Sequence, residues 1–121
     1  NPRSMQEGIS TIEAIDFPGQ KVVVLGDMLE LGKQEIEIHR ELGDHLNGCK
    51  SISKIVLIGE LAKHMADNFS KEKLRDTIIC KDSVAAKQEL ENLNLEDSLV
   101  YFKASNLFKL EDLAAQIFEE R

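Results

Sequence analysis

The chain has 121 residues, about the size of one domain, and this length suffices to bury a hydrophobic core without disulfides or a structural metal. Its 22 acidic and 15 basic residues give a formal net charge of -7, which disfavours nucleic acid and anionic membrane surfaces as partners. No apolar run approaches the roughly 18 residues that suggest a membrane span. Cys49 and Cys80 have no metal-binding or redox spacing, so we interpret them as isolated buried thiols.

The first predicted element is a helix at the start of the chain. Met5, Ile9 and Ile12 form one apolar stripe, while Asn1 suits the N-cap and Pro2 the first helical position. The sequence begins without an initiating methionine, and no leader peptide is visible. We therefore expect the chain to be a piece of a longer polypeptide.

Four short apolar runs predict strands at 22–25, 55–58, 77–80 and 98–102, and their lack of polar alternation is typical of strands covered on both faces. Helical spacing follows at 33–47, at 61–69, after a cap at Asp82 or Ser83, and at 110–118, whereas 70–76 is predicted to be a charged surface connection. This alternation predicts a single α/β domain over residues 1–121. We expect a three-layer, Rossmann-like architecture with a mainly parallel sheet and helices on both faces.

An acidic residue follows the first predicted strand, in the run from Leu25 to Gly32. Because loops at the carboxyl ends of parallel strands line the ligand crevice, Asp27 is placed to meet a substrate. At a spacing of three, Asp27 and Glu30 could share one face of a turn and bind an ammonium group or a hydrated cation. The alternative is that Asp27 caps the following helix and Glu30 is solvated.

Two further residues near this edge carry possible chemistry. His39 has no metal-binding partners at helical spacing in His45 or His64, so we interpret it as a packing or loop-supporting histidine and predict no metal site. Lys103 leaves the last strand as Asp27 leaves the first, and we expect the two corners to converge at one edge of the sheet. Lys103 could bind a carboxylate or phosphate, or it could be a lysine that extends from a strand end into solvent.

The sequence lacks several motifs of self-sufficient enzymes. It contains no GxxxxGK[ST] phosphate loop, no GxGxxG after a strand, no GxSxG elbow and no catalytic Cys-His pattern. The absence of these motifs indicates a domain that contributes to substrate binding and lacks catalytic residues of its own.

Three motifs resemble the C-terminal domain of the Mur ligase family. The opening Asn-Pro-Arg-Ser-Met is similar to the end of a family motif, and 24–32, followed by His39 and Gly43, is similar to the Leu-Gly-Asp-Met-x-Glu-Leu-Gly segment with its downstream His-x-x-x-Gly. Lys103-Ala104-Ser105-Asn106 occupies the place of the Lys-Gly/Ala-Ser-Arg element. Asn106 stands where the family has arginine.

The resemblance implies a cytoplasmic three-domain enzyme of peptidoglycan synthesis. Its N-terminal domain would bind UDP-N-acetylmuramoyl-tripeptide, and its central domain would bind ATP and Mg²⁺. The C-terminal domain would bring D-alanyl-D-alanine, whose amine attacks an acyl phosphate with release of ADP and phosphate. This chain alone would then be inactive.

The resemblance also implies roles for individual residues. Asn1 and Pro2 would contact the adenosine of ATP when the domains close. The substrate-binding residues would be Asp27, Met28 and Glu30 near the dipeptide ammonium group, and Lys103, Ser105 and Asn106 near its carboxylate or developing negative charge.

Two other kinds of protein are compatible with the fold. A receiver-like or other ligand-binding α/β module would use Asp27 as phosphoacceptor and Lys103 as the strand-end lysine. That site needs further acidic residues to hold magnesium, and neither Ile58-Gly59 nor Cys80-Lys81 supplies them. The third alternative is a stand-alone structural domain whose enzymatic partners have been lost.

Overall fold

A computed structural model describes residues 1–104 and 110–118. The first half of the chain forms α1 (Pro2–Ala14), β1 (Lys21–Gly26), a 3₁₀ helix (Gly32–Gln34) and α2 (Glu35–Asn47). The second half forms β2 (Lys54–Ile58), a second 3₁₀ helix (Ala62–Ala66), α3 (Lys71–Arg75), β3 (Thr77–Cys80), α4 (Ser83–Asn92), β4 (Leu99–Lys103) and α5 (Leu110–Phe118). The four predicted strands and the two terminal helices are confirmed.

The described strands form one sheet in the order β3-β2-β1-β4. All three neighbouring pairs are parallel, and every residue of β1 is buried. Parallel strands need crossover connections, which the intervening helices provide. The prediction of a mainly parallel α/β domain is confirmed.

Helices cover both faces of the sheet. Alternate residues of a strand point to opposite faces, so each strand contributes side chains to two core layers. Val23 and Leu25 pack in a first core layer with α1, α2 and the second 3₁₀ helix. Val22 and Val24 pack in a second core layer with α4 and α5. The helical residues buried in these layers are Met5, Ile9, Ile12, Leu42, Leu46, Ala62, Met65, Ala66, Ala86, Leu90, Leu113 and Ile117. The architecture is therefore three-layered, as predicted.

The end of α1 is held by Lys21, the first residue of β1. Its side chain is 3% exposed, and Nζ donates to the carbonyl oxygens of Ile12 at 2.7 Å, Glu13 at 3.0 Å and Ile15 at 2.7 Å. The last carbonyls of a helix have no partner within the helix, and a cation there also interacts favourably with the helix dipole. Lys21 therefore ties the C-terminus of α1 to the amino end of β1.

One sequence-based prediction is wrong between β2 and β3. The predicted helix at 61–69 is a five-residue 3₁₀ helix, Ala62–Ala66. Apolar residues three positions apart lie near one face of either helix type, so this spacing does not distinguish the two. Gly43 of α2 lies directly against this 3₁₀ helix, because a Cβ there would be 1.7 Å from the carbonyl oxygen of Met65. The segment 70–76 is a charged and largely exposed connection, as predicted, and it contains the short helix α3, whose N-cap Ser70 accepts a hydrogen bond from Lys73 N–H at 3.1 Å.

Both cysteines are buried free thiols, as predicted. Burial raises the pKa of each to about 11. At about pH 8 only ~0.1% of each thiol would be ionised, and the thiolate is the nucleophile. We expect Ellman's reagent to leave the native protein unlabelled while labelling both cysteines in denaturant. Rapid labelling of the native chain would contradict this burial.

Within the two described ranges, no helix combines the length and the apolar character needed to cross a membrane.

Candidate functional site

The strand order reverses between β1 and β4. The chain proceeds from β1 to β2 and β3 on one side, and it then returns to β4 on the other side of β1. In open α/β sheets, ligands bind outside the carboxyl ends of the strands at this switch point. The candidate site therefore lies at the carboxyl edge of the sheet, meaning the edge formed by the carboxyl ends of its parallel strands.

Three of the predicted segments meet at this edge. Leu25 pairs with Lys103 in the β1–β4 register, so Lys103 ends β4 beside the end of β1, and Asp27 follows two residues after Leu25. Helix α1 has 13 residues, about 20 Å of helix, and β1 spans a similar length. Because Lys21 holds the C-terminus of α1 at the opposite edge, the helix places Asn1 near the carboxyl edge. The acidic and lysine corners therefore lie at the same edge of the sheet, on neighbouring strands, as predicted.

Asp27 is turned into the protein. Its side chain is 7% exposed, and Oδ1 accepts hydrogen bonds from the backbone N–H groups of Leu61 at 3.0 Å and Ala62 at 2.7 Å. The alternative prediction, that Asp27 caps the helix that follows it in the chain, is wrong. Asp27 instead caps the second 3₁₀ helix, which follows β2, and so joins the loops after two neighbouring strands.

Gly59 makes this contact possible. A Cβ at position 59 would lie 2.3 Å from Asp27 Oδ1, and the backbone φ of Gly59 is +119°. A larger residue would displace the carboxylate and would also be strained, because L-residues rarely adopt this conformation. Sequence reasoning missed the role of Gly59, although a glycine directly after a buried strand is a signal for a close approach.

Met28 is fixed both by the burial of its side chain and by a backbone hydrogen bond. The side chain is 2% exposed and packs in the first core layer, while its N–H donates to His39 Nε2 at 3.0 Å. His39 Nδ1 donates to the carbonyl oxygen of Glu35 at 2.6 Å. Since Nε2 accepts, the proton of the neutral ring must be on Nδ1. The interpretation of His39 as a loop-supporting residue is confirmed.

Glu30 differs from Asp27 in its surroundings. Its side chain is exposed, and its φ of 64° lies in the left-handed region, which costs about 1–2 kcal/mol for a residue with a Cβ. Gly32 has a φ of 75°. Residues 27–32, which we call the acidic loop, therefore begin with a buried, bonded carboxylate and carry an exposed one three residues later.

The remaining predicted site residues are placed as follows. Lys103 is half-buried, and strand alternation puts it on the same side as Tyr101, which packs against the first core layer. Asn1 is exposed, and its Oδ1 accepts a hydrogen bond from Ser4 N–H at 2.8 Å, with Pro2 as the first residue of α1. Ser105 and Asn106 lie outside the described residues.

A charged cluster joins α2 to the C-terminal end of the second 3₁₀ helix. Arg40 donates to Asp67 Oδ2 from Nε at 3.1 Å and from Nη2 at 2.9 Å, and His64 Nδ1 lies 2.9 Å from the same oxygen. Burial opposes ionisation of Asp67, but the hydrogen bonds with His64 and Arg40 outweigh it and lower its pKa. The cluster fixes the segment that Asp27 caps.

The receiver-like alternative gains no support from this geometry. The Asp27 carboxylate is bonded to two backbone N–H groups, and residues 1–104 and 110–118 contain no group of three His, Cys, Asp or Glu side chains that could hold a metal ion.

Comparison with known proteins gives a consistent result. The family model described as "Mur ligase, glutamate ligase domain" matches residues 1–106. The UDP-N-acetylmuramoyl-tripeptide–D-alanyl-D-alanine ligase of Bacillus subtilis is 34% identical over 123 aligned positions, which cover 98% of this chain and 26% of the relative. The ligase of the same name from Buchnera aphidicola subsp. Baizongia pistaciae is 29% identical and covers 99% of this chain and 25% of the relative.

Solved structures agree with these relatives. A crystal structure of MurF from Acinetobacter baumannii superposes with a TM-score of 0.83 at 27% identity and covers 98% of this chain and 26% of that protein. The MurF ligase of Thermotoga maritima in complex with ADP gives a TM-score of 0.73 at 28% identity, with coverage of 99% and 26%. The chain thus spans about a quarter of the length of the relatives it matches.

Proposed function

Because this chain belongs to the Mur ligase family, we propose that it is the C-terminal domain of a three-domain ligase that joins D-alanyl-D-alanine to UDP-N-acetylmuramoyl-tripeptide, with consumption of ATP, in peptidoglycan synthesis. One observation carries the proposal: relatives named for this reaction align with nearly the whole chain. The N-terminal and central domains of the same polypeptide are its proposed partners. The reaction would occur in the cytoplasm, and free buried thiols are consistent with that reducing compartment.

The chemistry of the dipeptide matches the charges at the carboxyl edge. D-Alanyl-D-alanine has an amine at one end and a carboxylate at the other. The acidic loop offers negative charge beside β1, with Glu30 exposed, and Lys103 offers positive charge beside β4. Opposite charges in this arrangement would orient the substrate as well as attract it.

The individual residues have distinct proposed roles. Glu30 would attract the dipeptide ammonium group, and Asp27 would fix the loop and contribute negative charge. Met28 would act through its backbone, since its side chain is buried in the core. Lys103, with Ser105 and Asn106, would face the dipeptide carboxylate.

ATP and Mg²⁺ would be held mainly by the central domain, and ATP would supply the phosphoryl group that activates the tripeptide carboxylate. The described residues provide no metal-binding group, and the sequence has no phosphate loop. Asn1 and Pro2 would meet the adenosine. Asn1 Oδ1 caps α1, and its amide Nδ2 would be available as a donor to the nucleotide.

The experiment is an assay of the full-length protein for phosphate release. We expect release that requires ATP, UDP-N-acetylmuramoyl-tripeptide and D-alanyl-D-alanine together, and a product whose mass equals that of the joined substrates. D-Alanine alone and L-alanyl-L-alanine are the matched controls. Phosphate release that does not depend on the dipeptide would refute the proposal.

The 121-residue chain alone provides a complementary measurement. We expect isothermal titration calorimetry of this chain to give no binding heat with ATP or with the dipeptide, because most proposed contacts need the neighbouring domains. Tight ATP binding by the chain alone would contradict this division of roles.

A further inference from the structure

The acidic loop is held from two directions. The Asp27 carboxylate binds the N-terminus of the second 3₁₀ helix, and the next residue, Met28, donates its N–H to His39 on α2. The left-handed residues Glu30 and Gly32 follow directly. The direction in which the loop leaves β1 is therefore set by two adjacent contacts, one of which depends on His39.

His39 is chemically unusual for a core position. Its side chain is 0% exposed, and both ring nitrogens bond to backbone groups rather than to other side chains. An aliphatic residue could fill this volume, but it could not accept the Met28 N–H. The imidazole thus satisfies a buried backbone donor immediately after Asp27, and an unpaired donor there would favour a different loop conformation.

We infer that His39 is a positioning residue for the amine substrate: through Met28 it fixes the acidic loop in the conformation that binds the dipeptide ammonium group. This inference rests on the proposed function. His39 does not itself touch the substrate, and its effect on the reaction passes through the loop backbone.

Two amide variants separate the two hydrogen bonds of the ring. In His39→Gln, the longer side chain can place its carbonyl oxygen near the position of Nε2 and accept the Met28 N–H. In His39→Asn, the shorter side chain can donate to the Glu35 carbonyl oxygen from near the position of Nδ1, but it cannot reach Met28. Both variants replace a buried aromatic ring with an amide, so both should lower the melting temperature.

The measurement is steady-state kinetics of the full-length enzyme with D-alanyl-D-alanine and with ATP as the varied substrate. We expect His39→Asn to raise KM for the dipeptide about tenfold or more, with KM for ATP unchanged. His39→Gln should restore KM for the dipeptide to within about threefold of the wild-type value. Leu90→Ala, in the second core layer, is the control for destabilisation, and it should leave KM for the dipeptide unchanged.

The outcomes distinguish this inference from the proposed function. If the wild-type enzyme turns over and the two His39 variants have the same KM for the dipeptide, His39 is merely structural and the inference fails alone. The same holds if Leu90→Ala raises this KM as much as His39→Asn does. If the wild-type enzyme has no dipeptide-dependent activity, the proposed function fails and the inference fails with it.

Discussion

Replacing Asp27 with alanine in the full-length ligase should lower kcat/KM for D-alanyl-D-alanine by about 100-fold, equivalent to about 3 kcal/mol. The change removes a negative charge from the carboxyl edge of the sheet, and it also leaves the N–H groups of Leu61 and Ala62 without their acceptor. Each buried donor left unpaired costs about 1–3 kcal/mol. We therefore expect a loss of folding stability together with the loss of activity.

Asp27→Asn separates these two effects. The asparagine carbonyl oxygen can still accept from Leu61 and Ala62, so stability should fall by no more than about 1 kcal/mol. The charge is lost, and kcat/KM for the dipeptide should still fall by about tenfold or more. If Asp27→Asn has wild-type kinetics, the carboxylate of Asp27 serves only to hold the loops together.

Replacing Lys21 with methionine should destabilise the 121-residue chain by about 3 kcal/mol. Methionine keeps the length and packing of the side chain, but the carbonyl oxygens of Ile12, Glu13 and Ile15 lose their donor. Hydrogen bonds to a charged group contribute about 1.5–3 kcal/mol each, and relief from burying the ammonium group offsets part of that loss. Urea unfolding followed by circular dichroism measures the change.

Lys54→Met is the matched control for Lys21→Met. Lys54 is the first residue of β2 as Lys21 is the first residue of β1, but it is only partly buried. We expect Lys54→Met to change the free energy of unfolding of the chain by no more than about 0.5 kcal/mol. Equal effects at the two positions would mean that the capping of α1 by Lys21 contributes nothing specific.

Much of the fold follows from local patterns. The apolar runs of β1 and β2 predict buried strands because few polar residues interrupt them, and Asn1 and Pro2 mark the start of α1 correctly. The close contact of Gly43 with Met65, which lies in the second 3₁₀ helix, could not be predicted in this way. That contact joins residues from different elements and leaves no signal in either local sequence.

The sequence predicts a candidate site at the carboxyl edge, but it does not predict the contacts within that site. The carboxyl edge could be identified because Asp27 and Lys103 each follow an apolar run. No local rule, however, connects an aspartate with backbone N–H groups more than thirty positions along the chain. His39 was recognisable as a supporting residue because it lacked metal-binding partners, yet its contact with Met28 depends on how α2 packs against β1.

A crystal structure of the full-length enzyme with a non-hydrolysable ATP analogue, UDP-N-acetylmuramoyl-tripeptide and D-alanyl-D-alanine tests the central claim most directly. The dipeptide should lie at the switch point between β1 and β4, with its amine facing the acidic loop and its carboxylate facing Lys103. A dipeptide bound beside β3, at the amino edge of the sheet, or with its two ends reversed would contradict the account.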